Sequence, residues 1–160
     1  MTMNTKKTMA TDATCVVSAG ECRVRDFYAE HIAKIRPKDR LVRREQRYDG
    51  SRLRADMRTV NEANILNEWE FKLYADYKAL GQILQYVALA RETENFRPIR
   101  GVIAAFEFSP ELVRANEILN LNLDLVIIPD WMRAAGGVVQ RETSTKLIET
   151  TPRIPMITLA

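Results

Sequence analysis

The residues best suited to catalytic chemistry lie in the segment 68–73, where charged and apolar side chains alternate. Within it, Glu70 and Lys72 are two positions apart. On a β-strand both of these side chains leave by one face, while the intervening aromatic residues leave by the other. Asp56 lies in a second alternating run, residues 52–58, which also predicts a strand. If the strands pair, the three side chains converge. Two carboxylates and a lysine suit a hard metal ion and an activated water.

A polar pair follows these strands on a predicted helix, residues 77–91, whose apolar residues recur at helical spacing. Gln82 and Tyr86 are four residues apart on this helix and therefore share one face. Each feature alone has an ordinary explanation, as a solvated strand face or as the polar edge of an amphipathic helix. The full order of an acid, Glu-x-Lys and Gln-x-x-x-Tyr is not easily explained in that way.

This order resembles the PD-(D/E)xK nuclease superfamily, in which an acid precedes Glu/Asp-x-Lys on the next strand. Here Ala55 stands where the pattern has proline before the acid, a departure that leaves the chemistry intact. The Gln-x-x-x-Tyr pattern is similar to that of the RecB-like nucleases. The resemblance covers about residues 40–129. It implies a metal-dependent DNA nuclease with a restriction-endonuclease-like α/β fold, a mixed central sheet flanked by helices.

The resemblance also implies roles for individual residues. Asp56 and Glu70 would hold one or two Mg²⁺ (or Mn²⁺) ions, with the backbone carbonyl of Phe71 as a further ligand. Lys72 would orient or deprotonate the attacking water, or stabilise developing negative charge. Because of this role, we expect Lys72→Ala to abolish cleavage. We also expect Lys72 to face the surface, so that the substitution leaves the fold and DNA binding largely intact.

The remaining site residues follow from the same resemblance. Gln82 and Tyr86 would position the lysine or a DNA phosphate. A further acid in such sites often comes from upstream in the chain. Glu45, Glu30 and Glu21 are the candidates, and the sequence does not choose among them.

The segment from Lys34 to Arg58 has ten Lys or Arg residues and four Asp or Glu residues, a net charge of +6 within a chain of net charge +3. Its central part, residues 41–60, predicts two strands joined by the turn dipeptide Asp49-Gly50, and we call it the basic hairpin. A cationic surface beside the acids suits phosphate binding. A solvated hairpin with charges of both signs is the ordinary alternative. Five arginines of the basic hairpin are the predicted DNA contacts: Arg43, Arg44, Arg47, Arg52 and Arg54.

Periodicity and turn residues predict eight elements in the order α-β-β-β-α-β-α-β. The Ser109-Pro110-Glu111 sequence is a favourable helix start, with serine at the N-cap and proline at the first helical position. The predicted helices are 21–34, 77–91 and 109–120, and the predicted strands are 41–47, 51–60, 65–74, 100–108 and 123–128.

Bulk properties describe an ordinary globular chain of 160 residues, long enough for one domain, with 46% hydrophobic and 28% charged residues. No apolar run approaches the ~18 residues of a membrane span, so no membrane role is expected. The two cysteines, Cys15 and Cys22, predict reduced thiols in a cytoplasmic protein. The single histidine, His31, lies on an apolar stripe and is expected to be partly buried there.

Three regions are predicted: a disordered N-terminus over residues 1–17, the nuclease domain over 18–129, and a C-terminal extension over 130–160. The extension suits a hairpin against the sheet edge, a dimer arm or a partly ordered tail. Its apolar segment, residues 154–159, favours a homodimer slightly, because monomers rarely expose such patches.

The expected function is therefore a metal-dependent DNA nuclease in repair, restriction, or the processing of mobile-element or phage DNA. The alternative is a catalytically inactive DNA-binding or assembly subunit of the same fold. The sequence leaves open whether the substrate is single- or double-stranded and whether it is cut at an end or internally.

Overall fold

The structure, a computed structural model, describes residues 13–94 and 97–137, with backbone alone for residues 13–18. The predicted order of helices and strands, α-β-β-β-α-β-α-β, is confirmed, except that the first helix is divided into two. The helices are α1 Ala13–Glu30, α2 Ile32–Ile35, α3 Tyr77–Thr93 and α4 Pro110–Ile118. The strands are β1 Asp39–Arg47, β2 Arg54–Asn61, β3 Leu66–Ala75, β4 Ile99–Phe108 and β5 Asp124–Ile127, and a 3-10 turn follows at Asp130–Met132.

The five strands form one mixed sheet in the order β1-β2-β3-β4-β5. β1, β2 and β3 are antiparallel neighbours, whereas β4 and β5 run parallel to β3. The parallel strands are connected through α3 and α4, as crossover connections require.

Each face of the sheet packs against a helical layer. α3 covers one face, where Ile83 and Ile103 are buried, and α1 covers the other. On β3, Trp69 and Phe71 point toward α1, and both aromatic rings contact the ring of Tyr28. The strand alternation predicted for the Glu-x-Lys segment is therefore the observed one, with its aromatic residues in the core.

β2 and β3 separate part of the way along their length. Their ladder runs from the pair Val60–Leu66 to the pair Met57–Trp69 and ends there. β2 remains paired with β1 beyond this point, and β3 remains paired with β4. We call the opening beyond the Met57–Trp69 pair the fork.

Side chains fix the starts of the two helices on the α3 face. The Asp76 carboxylate accepts a hydrogen bond from the Lys78 N–H at the start of α3. The Ser109 hydroxyl accepts one from the Leu112 N–H at the start of α4, with Pro110 at the first turn, as predicted. These caps set where β3 and β4 end and where the helices leave the sheet.

The N-terminal helix differs from its prediction at both ends. Residues 13–17, predicted to be disordered, lie in α1, because elongation adds a hydrogen bond for each residue fixed onto a helix that tertiary packing already holds. The predicted helix over 21–34 is interrupted at His31. In a regular α-helix the His31 N–H would donate to the Phe27 carbonyl, four residues back. Here the His31 ring lies 2.8 Å from that carbonyl, and the His31 N–H donates to the Tyr28 carbonyl, three residues back. This tighter turn separates α1 from α2.

No helix in residues 13–94 and 97–137 is long and apolar enough to cross a membrane. The predicted extension over 130–160 begins with the Asp130–Met132 turn and further turns to Gly137. Residues 138–160, which contain the apolar segment predicted to join a dimer, lie outside the described residues.

Candidate active site

The fork places the two predicted acids next to each other. Asp56 and Glu70 are the first residues of β2 and β3 beyond the last ladder pair. The Phe71 N–H points toward the side that β2 has left, and the Asp56 Oδ2 atom accepts its hydrogen bond at 2.8 Å. A carboxylate thus replaces the missing backbone acceptor, and this bond holds Asp56 beside β3.

Lys72 lies within this acidic group. Its Nζ atom is 2.6 Å from Glu70 Oε1 and 3.5 Å from Glu21 Oε2. The Glu70 side chain is 3% exposed and that of Lys72 is 19% exposed. Lys72 is therefore less exposed than the surface-facing position expected from the sequence, and its contribution to stability stays a prediction. Strand alternation assigned the correct face, but the flanking helices cover that face.

Burial and crowding perturb the protonation of the site. Burial, followed by repulsion from Asp56, raises the pKa of Glu70 to about 7, and the lysine only partly offsets this. Burial also raises the pKa values of Asp56 and Glu21. Burial alone would lower the pKa of Lys72, but its pairing with Glu70 raises that pKa overall. The pKa values of all three acids are raised, so a cation bound between them would stabilise their ionised forms.

Tyr86 of α3 reaches the same group. Its hydroxyl lies near enough to Glu70 for each group to affect the pKa of the other, and Gln82 Nε2 donates to the Tyr86 hydroxyl at 3.4 Å. Burial, together with the negative charge of Glu70, raises the pKa of Tyr86, so the phenol remains a protonated donor at neutral pH. The sequence predicted that this pair positions the lysine or a phosphate. The structure places Tyr86 against the carboxylate that pairs with the lysine.

Of the three upstream acids, Glu21 lies closest to the lysine. Glu30 is nine residues further along the same helix, about 13 Å away, and is exposed. Glu45 pairs with Arg25 and Arg54 at 3.2 and 3.3 Å. The geometry therefore favours Glu21 as the third acid.

Arg25 is a site residue that the sequence did not single out. Its side chain is 7% exposed, and it lies 3.2 Å from Glu45 and 3.8 Å from Asp56. Glu45 has a left-handed backbone (φ +54°), which is uncommon for a residue with a side chain. Arg25 follows Glu21 by four residues and so shares its helix face, a spacing that could have identified it.

The five arginines predicted to touch DNA are all exposed. Arg44 pairs with Asp26 at 3.6 Å, and Arg54 pairs with Glu45 at 3.3 Å. Within residues 13–94 and 97–137, the other three form no ion pair: Arg43, Arg47 and Arg52. β1 and β2 also place Arg47 directly opposite Arg54, so positive charge accumulates at the turn end of the basic hairpin.

Glu68 is the second acid on β3, but its interactions are structural. It is buried and accepts hydrogen bonds from Tyr48 and Arg58 at 2.9 and 2.7 Å. Arg58, on β2, also donates to Glu94 at 2.8 Å, and this bond connects β2 to the end of α3. Because its oxygens already have partners, Glu68 is not a candidate metal ligand.

The acids at the fork meet the requirements of a hard cation in part. Among residues 13–94 and 97–137, no three His, Cys, Asp or Glu side chains are arranged closely enough to enclose a metal by themselves. Asp56 and Glu70 repel each other, and burial raises the pKa of both. Two neighbouring carboxylates that repel each other fit Mg²⁺, because this ion commonly binds one or two protein carboxylates and completes its coordination shell with water.

Comparisons with known proteins identify the fold. No family model matches the sequence, and no curated protein is similar to it. Similar solved structures are an EndoMS–dsDNA complex (20% identity, TM-score 0.57), a repair endonuclease from Pyrococcus abyssi (20%, 0.58) and EndoMS in its apo form (22%, 0.56). The matches cover 68–69% of this chain but only 45–46% of those chains, so the chain spans less than half of their length. The likeness and the mixed five-stranded sheet confirm a restriction-endonuclease-like α/β fold.

Proposed function

We propose that this chain is a metal-dependent DNA nuclease of the PD-(D/E)xK superfamily, related to its RecB-like members. The observation that carries the proposal is the convergence of Asp56, Glu70 and Lys72 at the fork. The similar structures, described as a repair endonuclease and as EndoMS bound to double-stranded DNA, support DNA as the substrate. The nuclease domain would comprise residues 18–129.

Asp56, Glu70 and the Phe71 carbonyl would hold Mg²⁺ or Mn²⁺, with Glu21 as the additional acid in preference to Glu45. When bound, such an ion offsets the charge of the scissile phosphate and lowers the pKa of a bound water. This assignment is supported by the raised pKa values of Asp56, Glu70 and Glu21, because a bound cation would stabilise the ionised form of all three acids.

The side chains of the protein have separate tasks in this proposal. Lys72, held between Glu70 and Glu21, orients the attacking water or stabilises the charge that develops on the phosphate. Tyr86, supported by Gln82, would orient Glu70 from the α3 side. The exposed arginines of the basic hairpin bind DNA phosphates, which positions the duplex or strand without selecting its sequence.

We also propose a cellular location, a pathway and an assembly for the protein. We place the protein in the cytoplasm, acting in DNA repair, restriction or the processing of mobile-element or phage DNA. The repair endonuclease among the similar structures favours repair. We also propose a homodimer in which the apolar tail takes part. Light scattering would show a dimer for the full chain and a monomer for a chain ending near Ala134. A dimer that survives the truncation would remove the tail from the interface.

The nuclease proposal is tested with plasmid and linear DNA, in Mg²⁺ or in chelator. We expect cleavage only with Mg²⁺ and its loss in Lys72→Ala, while Lys78→Ala, a change of an exposed lysine on α3, cleaves like the parent. Circular dichroism at the assay temperature verifies that each variant is folded. Binding without cleavage under all conditions would instead support the inactive DNA-binding subunit, and cleavage by Lys72→Ala at the parent rate would remove the assignment.

A further inference from the structure

A cleft at the end of β3 has no role in the chemistry described above. It has a volume of about 510 Å³ and opens where β3 ends and where α3 and α4 begin. This volume is within the range of about 300 to 1,000 Å³ that is usual for small-molecule sites. The residues that line it are Tyr74, Asp76, Tyr77, Leu80, Glu111 and Leu112.

Two tyrosines at this cleft are unusually exposed. Tyr74 is 52% exposed and Tyr77 is 73% exposed, although large aromatic side chains normally bury most of their area. Leu80 and Leu112 give the cleft an apolar surface beneath them. A surface of this kind suits a flat apolar group that stacks on aromatic rings.

The charges at the cleft do not favour phosphate. The starts of α3 and α4 carry partial positive charge, but each has a carboxylate, Asp76 as the N-cap of α3 and Glu111 in the first turn of α4. Carboxylates repel a phosphate group, whereas they accept hydrogen bonds from the exocyclic amino groups of bases. The cleft is therefore suited to a base and not to the backbone of a nucleic acid.

The cleft is connected to the candidate active site through β3. Tyr74 follows Lys72 by two residues on β3, so the two side chains share the face that α3 covers and are about 7 Å apart along the strand. DNA advances about 3.4 Å for each nucleotide along one strand. A phosphate held at the lysine would place a base one or two nucleotides away at the tyrosines.

We propose that this cleft binds an unpaired nucleobase close to the phosphate that is cut, by stacking it on Tyr74 and Tyr77. The inference rests on the proposed nuclease function and specifies its substrate. A base within an intact duplex is stacked on its neighbours and cannot enter the cleft, whereas a base in a single strand or one displaced from a duplex can. The preferred substrate is then DNA with an unpaired base beside the cleavage site.

The test measures binding alone, with the full chain in chelator. Fluorescence anisotropy compares a single strand of about 12 nucleotides with an abasic strand of equal length, which has the same phosphates and no bases. The combined change of Tyr74→Ala and Tyr77→Ala should weaken binding of the ordinary strand by about 10- to 100-fold and leave the abasic strand unaffected. Phenylalanine at both positions keeps the rings and should retain the affinity of the parent.

Leu84→Ala, a change of an exposed apolar residue of α3 outside the cleft, is the control and should bind both strands like the parent. Equal losses on both strands, or no loss on either, would overturn the inference. Cleavage in Mg²⁺ is scored separately. Base-dependent binding in a protein that does not cleave DNA would refute the nuclease proposal and leave the cleft assignment intact. Cleavage without base-dependent binding would support the nuclease proposal and refute the cleft assignment.

Discussion

The ion pair at the fork makes a stability prediction that can be tested without any substrate. Lys72→Met removes the ammonium group that lies 2.6 Å from Glu70 and keeps most of the apolar part of the side chain. In the metal-free protein at pH 8, this leaves Glu70 buried among other acids without its cation. We expect Lys72→Met to be clearly less stable than the parent.

The size of the loss follows from burial. Removing one partner of a buried ion pair costs about 3–5 kcal/mol, because the other group is then buried as an unpaired charge or must take up a proton. Since Lys72 is itself partly exposed, we expect the lower end of this range, about 3 kcal/mol. For a domain of this size, such a loss lowers the midpoint of thermal unfolding by about 10 °C.

Urea unfolding in chelator measures this loss, and a double-mutant cycle assigns it to the pair. The combined change of Glu70→Gln and Lys72→Met should be about 2 kcal/mol more stable than Lys72→Met alone, because the buried charge is then absent. Lys78→Met, a matched change of an exposed lysine, should alter stability by no more than about 0.5 kcal/mol. If Lys72→Met were as stable as the parent, the pair would contribute nothing and this reasoning would be refuted.

Further predictions concern metal, DNA and the buried cluster. Asp56→Asn or Glu70→Gln should weaken Mg²⁺ binding and the double change should remove it, and unchanged affinity in calorimetry would contradict the ligand assignment. Changing Arg47 and Arg52 together to alanine should weaken DNA binding equally for all sequences and reduce the salt slope by roughly one unit per lost contact, whereas an unaltered slope would place the DNA elsewhere. Arg58→Met should cost about 3–5 kcal/mol in urea unfolding, because it leaves Glu68 buried without its cation, and a loss below about 1 kcal/mol would contradict this.

The convergence of Asp56, Glu70 and Lys72 was predictable because strand alternation is a local property. Period two alone fixes which side chains share a face, and a turn signal fixes which strands are neighbours. The choice of Glu21 was not predictable in this way, since it depends on the angle at which α1 crosses the fork. The burial of Lys72 depends on the same helix packing.

The interruption at His31 shows a different limit of sequence reasoning. The apolar stripe continues through this position, so periodicity predicts one continuous helix. A single contact between the histidine ring and the Phe27 carbonyl competes with the backbone bond and ends α1 there. Such local competition leaves no mark in a hydrophobic pattern.

The fork has a consequence for how freely the chain length can vary between the two acids. The positions of both acids follow from the Met57–Trp69 pair, whereas residues 62–64, at the far end of the ladder, belong to the turn that connects β2 to β3. An insertion in that turn lengthens the sequence between Asp56 and Glu70 without moving either carboxylate. One residue inserted between Trp69 and Glu70 would instead send the carboxylate to the opposite face of the sheet. The distance between the acids along the sequence is thus adjustable, while their distance in space is fixed by pairing.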